Sequence, residues 1–295
     1  MITIMGASGR TGKKIAENLL RHGEAVRALG RTESRLAELQ QAGAEIRVGE
    51  AADAAFLASA FRGSDAVYTL LPTDRWSADC RATQDRHGEA IAKAVRGSGV
   101  RYVVALSSLG ADLPEGTGLI AGLHAQEERL KRLPGVHVLL LRSVLFFEEF
   151  SRYLPKIREE GYSEDSLAPD LAVPMVSVAD VAEAACRALA SRDWSGIEVR
   201  ELLGPRDLSY ADATLLLGER IGIFDLQYIQ LPYTEVIQSL VRAGFSRSFA
   251  VQWVEMTRAY NEGKVKPAAG RTQRNTTPTR FEDFAVELAR VYEAT

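Results

Sequence analysis

The opening stretch, MITIMGASGRTGKKIAENLL, limits how this chain can fold more than any other part of it. A short apolar run leads straight into Gly6, Gly9 and Gly12, and then into an amphipathic helical segment. A chain that leaves a buried strand, turns within a few residues and enters a helix needs glycine wherever a β-carbon would obstruct the turn, the approach of an anion, or the packing of helix on strand. The first N–H groups of such a helix have no intrahelical acceptor and carry the positive end of its dipole. The G-x-x-G-x-x-G spacing therefore predicts a strand–turn–helix unit that holds the diphosphate of a dinucleotide, built from Gly6, Ser8, Gly9, Arg10, Thr11 and Gly12.

The rest of the first half supports this unit. β-rich runs at 2–5, 25–29, 45–48, 66–71, 102–106 and 136–141 alternate with helical stretches near 12–21, 34–42, 52–60, 81–98 and 124–132. Strict alternation implies right-handed βαβ units, and the continuous apolar runs AVYTLL and VHVLLL suit strands covered on both faces. The expected class is α/β: a Rossmann-type doubly wound parallel sheet with a smaller, mainly helical C-terminal substrate region. Residues 1–142 form the nucleotide-binding domain in this reading. Residues 143–295 form the substrate or partner region, interleaved with the last strands of the sheet, including IEVRELLG. Ser177 with Asp180, Ser209 with Asp212, and Thr279 with Glu282 have the spacing of helix caps and their N3 residues, and 261–279 reads as a loop.

The end of the second strand, RALGRTESR, decides between two cofactors. A carboxylate there would meet the free 2′-hydroxyl of NAD, whereas an arginine suits the 2′-phosphate of NADP. Arg31 occupies that place and Arg35 follows one turn later, with Arg10 in the glycine turn expected to converge on the same phosphate. The predicted cofactor is NADP(H). Leu71 and Pro72 end the fourth strand, where they either wall the nicotinamide or simply terminate the strand.

Charge and cysteine content narrow the field. With 36 basic and 39 acidic residues the net charge is −3, and no block of basic residues suggests direct nucleic-acid binding or a polybasic membrane patch. Cys80 and Cys186 are too few for a disulfide framework, which suits a reducing compartment. No run has the length of a membrane span, and a cytoplasmic location is expected. His22, His87, His124 and His137 show no metal-ligand spacing.

Seven segments together resemble a known group: GASGRTG, LGRTESR, SGVRYVVALSSLGAD, HAQEERL, VHVLLLRSVLFFEEF, VPMVSVADVAEAA and TPTRFEDF. Over nearly the whole chain they are similar to the NmrA-like branch of the atypical short-chain dehydrogenases/reductases, and within it to NADPH-dependent quinone oxidoreductases and azo-dye reductases. The same branch includes NADP-binding regulators without established turnover, so the resemblance leaves two functions open. One is a reductase that passes hydride to a quinone-like or other conjugated aromatic acceptor. The other is a non-catalytic NADP(H) sensor with a protein partner.

The resemblance also aligns GLIAGLHAQEERL with the helix that carries a Tyr-x-x-x-Lys pair in conventional short-chain reductases, with Ile120 in place of the tyrosine and His124 in place of the lysine. A basic alkoxide needs a positioned acid, whereas the delocalised phenolate left by hydride addition to a quinone does not. His124, at the head of a helix with Glu128 four residues on, is the candidate proton donor or acceptor ligand, or else an exposed histidine with a helical salt partner. Ser107, paired with Ser108 at the end of the fifth strand, is a second catalytic candidate, or a polar strand cap. Trp76, Phe146 and Phe147 are expected to line a flat pocket for the acceptor, although core packing explains such a cluster as well.

Overall fold

Strand and helix alternate from the first residues in the computed structural model, which describes residues 1–294. The first half runs β1 (Ile2–Ile4), α1 (Arg10–Arg21), β2 (Val26–Gly30), a 3-10 turn at Glu33–Leu36, α2 (Ala37–Gln41), β3 (Glu45–Val48), α3 (Ala54–Phe61), β4 (Ala66–Thr69), α4 (Cys80–Ser98), β5 (Tyr102–Ser108), α5 (Leu119–Lys131) and β6 (His137–Ser143). There follow β7 (Leu145–Phe146), a 3-10 segment at Phe147–Tyr153, α6 (Leu154–Glu160), β8 (Tyr162–Asp165), β9 (Val173–Val176), α7 (Val178–Ser191) and β10 (Ile197–Leu202). The chain continues through β11 (Asp207–Leu208), α8 (Tyr210–Ile221), β12 (Gln227–Gln230), α9 (Tyr233–Arg242), α10 (Arg247–Asn261) and α11 (Phe281–Ala294).

Seven strands pair in the order β3-β2-β1-β4-β5-β6-β10, and every pairing is parallel. Chain order reverses between β1 and β4, which opens a crevice above their carboxyl ends, the place where sheets of this kind bind ligands. Successive side chains alternate between two cores. Ile2, Ile4, Ala66 and Tyr68 enter one, on the side of α1 and α7, while Val67, Val103, Val138 and Leu140 enter the other, beneath α3, α4 and α5. Burial on both faces explains the unbroken apolar runs. The doubly wound sheet expected from the sequence is present, and IEVRELLG supplies β10, which returns to the main sheet beside β6. Two small sheets, β11-β9-β7 and β12-β8, accompany the C-terminal helices.

Local details depart from expectation where tertiary contacts intervene. α5 starts at Leu119, so His124 lies inside the helix and not at its head. The start is set by α10: a β-carbon on Gly118, at φ +54°, would lie 2.0 Å from the Gln252 carbonyl oxygen. Only a glycine lets the two elements meet there. Ser209 and Asp212 form the expected reciprocal capping box. Ser177 caps α7, but Asp180 accepts instead from the backbone N–H and hydroxyl of Thr279 at 3.0 and 2.7 Å, so Thr279 binds α7 and α11 begins two residues later.

A buried ion pair locks α5 to the sheet. Glu127 (1% exposed) accepts from Nε and Nη2 of Arg142 at 2.9 and 2.7 Å and from the Ser107 hydroxyl at 2.6 Å. Bidentate pairing with Glu127 holds the Arg142 guanidinium protonated, raising its pKa. Replacing Arg142 with Met leaves the buried carboxylate with the Ser107 hydroxyl and, as its remaining cation, the partly exposed Lys131 at 3.2 Å, and is expected to cost about 3 kcal/mol in denaturant unfolding. Adding Glu127→Leu is expected to restore most of that loss, because an apolar pair has no charge to desolvate.

Candidate functional site

The glycine turn is fixed by backbone bonds to both neighbouring strands. Met5 N–H donates to the Tyr68 carbonyl at 3.0 Å and Ala7 N–H to that of Leu29 at 2.9 Å, while Gly9 N–H closes the turn on Gly6 O at 2.9 Å. Gly6 takes φ +68°, and a β-carbon on Gly12 would lie 2.4 Å from the Gly6 carbonyl oxygen. The first intrahelical bond of α1 is Lys13 N–H to Gly9 O at 2.9 Å, no side chain caps the helix, and its first turn contains no acidic residue. The N–H groups of Arg10, Thr11 and Gly12 are thus left for an anion at the crevice. These features fit the diphosphate of a dinucleotide, with close approach made possible by the glycines.

On the ribose side, Arg31 directly follows β2 and Arg35 lies in the 3-10 turn; both are exposed, and neither is ion-paired among the described residues. Arg10 does not join them. α1 is flanked by α2 on one side and α7 on the other. The Arg10 guanidinium reaches toward the α7 side and pairs with Glu149 at 2.8 Å, while Lys13 extends the other way to Glu38 in α2. The three-arginine cluster expected from the sequence is therefore reduced to Arg31 and Arg35, because the acidic pair Glu148–Glu149 next to α7 draws Arg10 away.

At the mouth of the sheet, Leu71 is 7% exposed and the Pro72 carbonyl lies 3.3 Å from Nδ1 of His87, whose pKa is lowered by burial. Ile120 is buried in the core, so the place of a tyrosine acid is filled by an aliphatic group. Ser107 donates to Glu127 beneath α5, and the Ser108 hydroxyl donates to the Leu109 carbonyl at 3.0 Å; both serines are engaged within the protein. His124 Nδ1–H donates to Ala111 O at 2.9 Å, which leaves Nε2 as the nitrogen without a partner among the described residues. Glu128 hydrogen-bonds Lys131 at 3.1 Å and does not hydrogen-bond His124.

The aromatic candidates separate. Phe147 is 1% exposed, packed edge-on against Phe281 at 5.2 Å, and belongs to the core instead of a pocket wall. Phe146 is half-buried in β7. Trp76 is 69% exposed on the loop after β4, with its ring 6.3 Å from Phe245. Arg152 and Asp165, which no local motif marks, also gather on this side of the crevice with Glu149. Cys80 and Cys186 are buried, and desolvation pushes both thiols up to about 11, which removes them as nucleophiles. Among the described residues, no group of His, Cys, Asp or Glu has the arrangement of a metal site, and no helix is long and apolar enough to cross a membrane. A broad hollow of about 940 Å³ between α7, β10 and 268–278 lies at the β10 edge of the sheet, away from the glycine turn.

Known proteins share this fold. Residues 6–192 match the NAD(P)H-binding family. The chain is 30% identical over 222 residues to a (4-alkanoyl-5-oxo-2,5-dihydrofuran-3-yl)methyl phosphate reductase of Streptomyces griseus, a match that covers 75% of this chain and 74% of the relative. An NADPH-dependent quinone oxidoreductase of Escherichia coli, crystallised with NADPH, superposes with a TM-score of 0.81 at 22% identity, over 100% of this chain and 99% of the other. NmrA, a negative transcriptional regulator crystallised with NADP, superposes with a TM-score of 0.74 at 17% identity, over 99% and 96%. These structures share the fold of this chain, and the chain belongs to the NAD(P)H-binding family.

Proposed function

We propose that this protein is an NADPH-dependent reductase that passes hydride to a quinone-like or other electron-poor conjugated acceptor. The observation that carries this reading is a dinucleotide turn standing beside a mouth with no committed side-chain acid: Ile120 is buried where a tyrosine would act, and Ser107 is held by Glu127. Hydride addition to a conjugated carbonyl leaves a delocalised enolate or phenolate that water can protonate, so this chemistry does not need the missing acid. The names of two similar proteins support it, since a quinone and a dihydrofuran ring whose double bond is conjugated to an oxo and an alkanoyl group are both acceptors of this type.

NADPH supplies the hydride when bound. The N–H groups of Arg10, Thr11 and Gly12, with Ser8 in the same turn, hold the diphosphate, and Arg31 with Arg35 holds the 2′-phosphate. Leu71 and Pro72 wall the nicotinamide side, and Trp76 and Phe146 flank the acceptor. Ala111 fixes the tautomer of His124 with its proton on Nδ1, so Nε2 of the neutral ring accepts from a ribose hydroxyl, and only the doubly protonated ring donates to an acceptor oxygen.

A second reading, an NADP(H)-responsive binding protein without turnover, is favoured by one contact. Arg10 links the cofactor turn to the 147–153 segment through Glu149, a contact through which a ligand at the turn that displaced Arg10 would disturb the C-terminal region.

Three measurements bear on these readings. Gly12→Ala is expected to abolish NADPH binding in calorimetry, because the new methyl has nowhere to go without moving the Gly6 carbonyl. Arg31→Ala is expected to weaken NADPH at least about tenfold while leaving NADH unchanged, as loss of a charge-assisted phosphate contact requires; equal losses for both would remove Arg31 from the phosphate site. Rapid-mixing absorbance of the reduced nicotinamide, under anaerobic conditions with a panel of quinones, should show acceptor-dependent oxidation that slows in His124→Ala. Tight NADPH binding with no oxidation by any acceptor would favour the sensor.

A further inference from the structure

β10 ends the main sheet, and its backbone bonds show which of its main-chain groups are spare. Val138 N–H donates to the Gly196 carbonyl at 2.9 Å, and parallel pairing with β6 continues through Leu202. The main-chain groups of Gly196, Glu198, Arg200 and Leu202 therefore face β6, while those of Ile197, Val199, Glu201 and Leu203 face outward. At Leu203 the outward groups are taken: its N–H donates to the Asn275 carbonyl at 2.7 Å and its carbonyl accepts from Thr277 N–H at 2.8 Å. The outward groups of Ile197, Val199 and Glu201 have no hydrogen-bond partner among the described residues. The free edge thus runs from Ile197 to Glu201, with Val199 at its midpoint.

The side chains along this edge are not those of a strand kept apart from others. Solvent-facing edges are commonly blunted by lysine, proline or a bulge, and residues 197–202 contain none of these. Ile197 and Val199 are in register with Val138 and Leu140, which belong to the core beneath α5, yet each is 42% exposed. On the opposite face of the strand Arg200 pairs with Glu198 at 2.6 Å. The hollow of about 940 Å³ between α7, β10 and 268–278 opens along 198–202, so the space beside the strand is free.

This pattern is complementary to itself. Two copies set antiparallel about Val199 place Val199 opposite Val199 and Ile197 opposite Glu201, so that every spare N–H meets a spare carbonyl. Glu198 then stands opposite Arg200 of the second copy, and Arg200 opposite its Glu198, at the positions where cross-strand side chains come closest. Diagonal contacts gather Ile197 and Val199 of both copies into one apolar cluster. The other edge of the sheet lacks this property. Just before β3 the Ala44 N–H is taken by the Leu39 carbonyl at 2.9 Å, and Gly49 N–H is turned to Gly30 of β2. Only Ile46 and Val48 then face outward in β3, and a pair centred between them sets Arg47 against Arg47.

We propose that β10 is a self-association surface: a second copy of this chain pairs with it antiparallel about a two-fold axis at Val199, joining two seven-stranded sheets into one. The crevice between β1 and β4 is separated from β10 by β5 and β6, so each copy keeps its own nucleotide turn and the pairing is independent of the reductase reading.

Sedimentation equilibrium of the full chain across the micromolar range is expected to give twice the mass of one chain. Val199→Pro removes the central outward N–H without costing a bond to β6, and is expected to give a monomer with native circular dichroism. Glu198→Arg and Arg200→Glu each set like charges opposite one another, and each is expected to weaken self-association at least about tenfold. Mixing these two single variants restores opposite charges across the strands, so a dimer containing one copy of each is expected. A role confined to the Glu198–Arg200 pair within one chain gives no such rescue. The proposal is overturned if the wild-type chain stays monomeric throughout that range, if a folded Val199→Pro chain dimerises like wild type, if the charge variants do so, or if mixing fails to restore the dimer. The mixing result decides alone where the proline variant does not fold.

Discussion

The contact between Gly12 and the Gly6 carbonyl sets the geometry on which the rest of the structure depends. With a β-carbon 2.4 Å from that oxygen excluded, α1 packs directly on the turn that ends β1. Three free N–H groups then face the crevice at the point where strand order reverses, and α7 docks beside α1 on the same face. The close packing that shapes the anion site also places Arg10 within reach of Glu149, so one steric constraint connects the cofactor turn to the region beyond β6. Side chains around the turn can vary; the missing methyl at position 12 cannot be replaced without moving the backbone.

How far the sequence reveals the molecule depends on whether a feature is local. All six strands read from β-rich runs are present, and in β4 and β6 burial on both faces leaves a continuous hydrophobic signature that needs no partner to be seen. The Ser209–Asp212 box is equally local and equally legible. The head of α5 is not, because Gly118 marks it through contact with a helix far along the chain. Asp180 has the spacing of a capping residue and is used by Thr279 instead. Arg10 lies in the right loop for a phosphate ligand, yet its direction is chosen by Glu149, a residue 139 positions away. Arg152 and Asp165 carry no motif at all; only the fold brings them together.

The mouth of the sheet shows how polar residues are divided between scaffold and solvent. Ser107, Ser108, Glu127 and Arg142 all lie where this type of fold presents its chemistry, and each is bonded inward. A buried carboxylate bound by a bidentate guanidinium and a hydroxyl cannot exchange those partners for a ligand without leaving a charge uncompensated. His124 differs, since one ring nitrogen is anchored and the other has no partner. Anchoring one nitrogen to a backbone carbonyl sets the tautomer without using the second, an arrangement that keeps the ring oriented whether or not a ligand is present.

The bond between Thr279 and Asp180 also has a bearing on synthesis. It spans 99 residues and supplies both donors that the partly enclosed Asp180 carboxylate receives near the start of α7, the helix that packs against α1. The βαβ units of the first half make contacts between neighbours in sequence and can assemble as they emerge from the ribosome. The layer behind the nucleotide turn is finished only once residue 279 has emerged, so a polypeptide truncated before it has an N-terminal domain of familiar outline with its supporting helix unsecured.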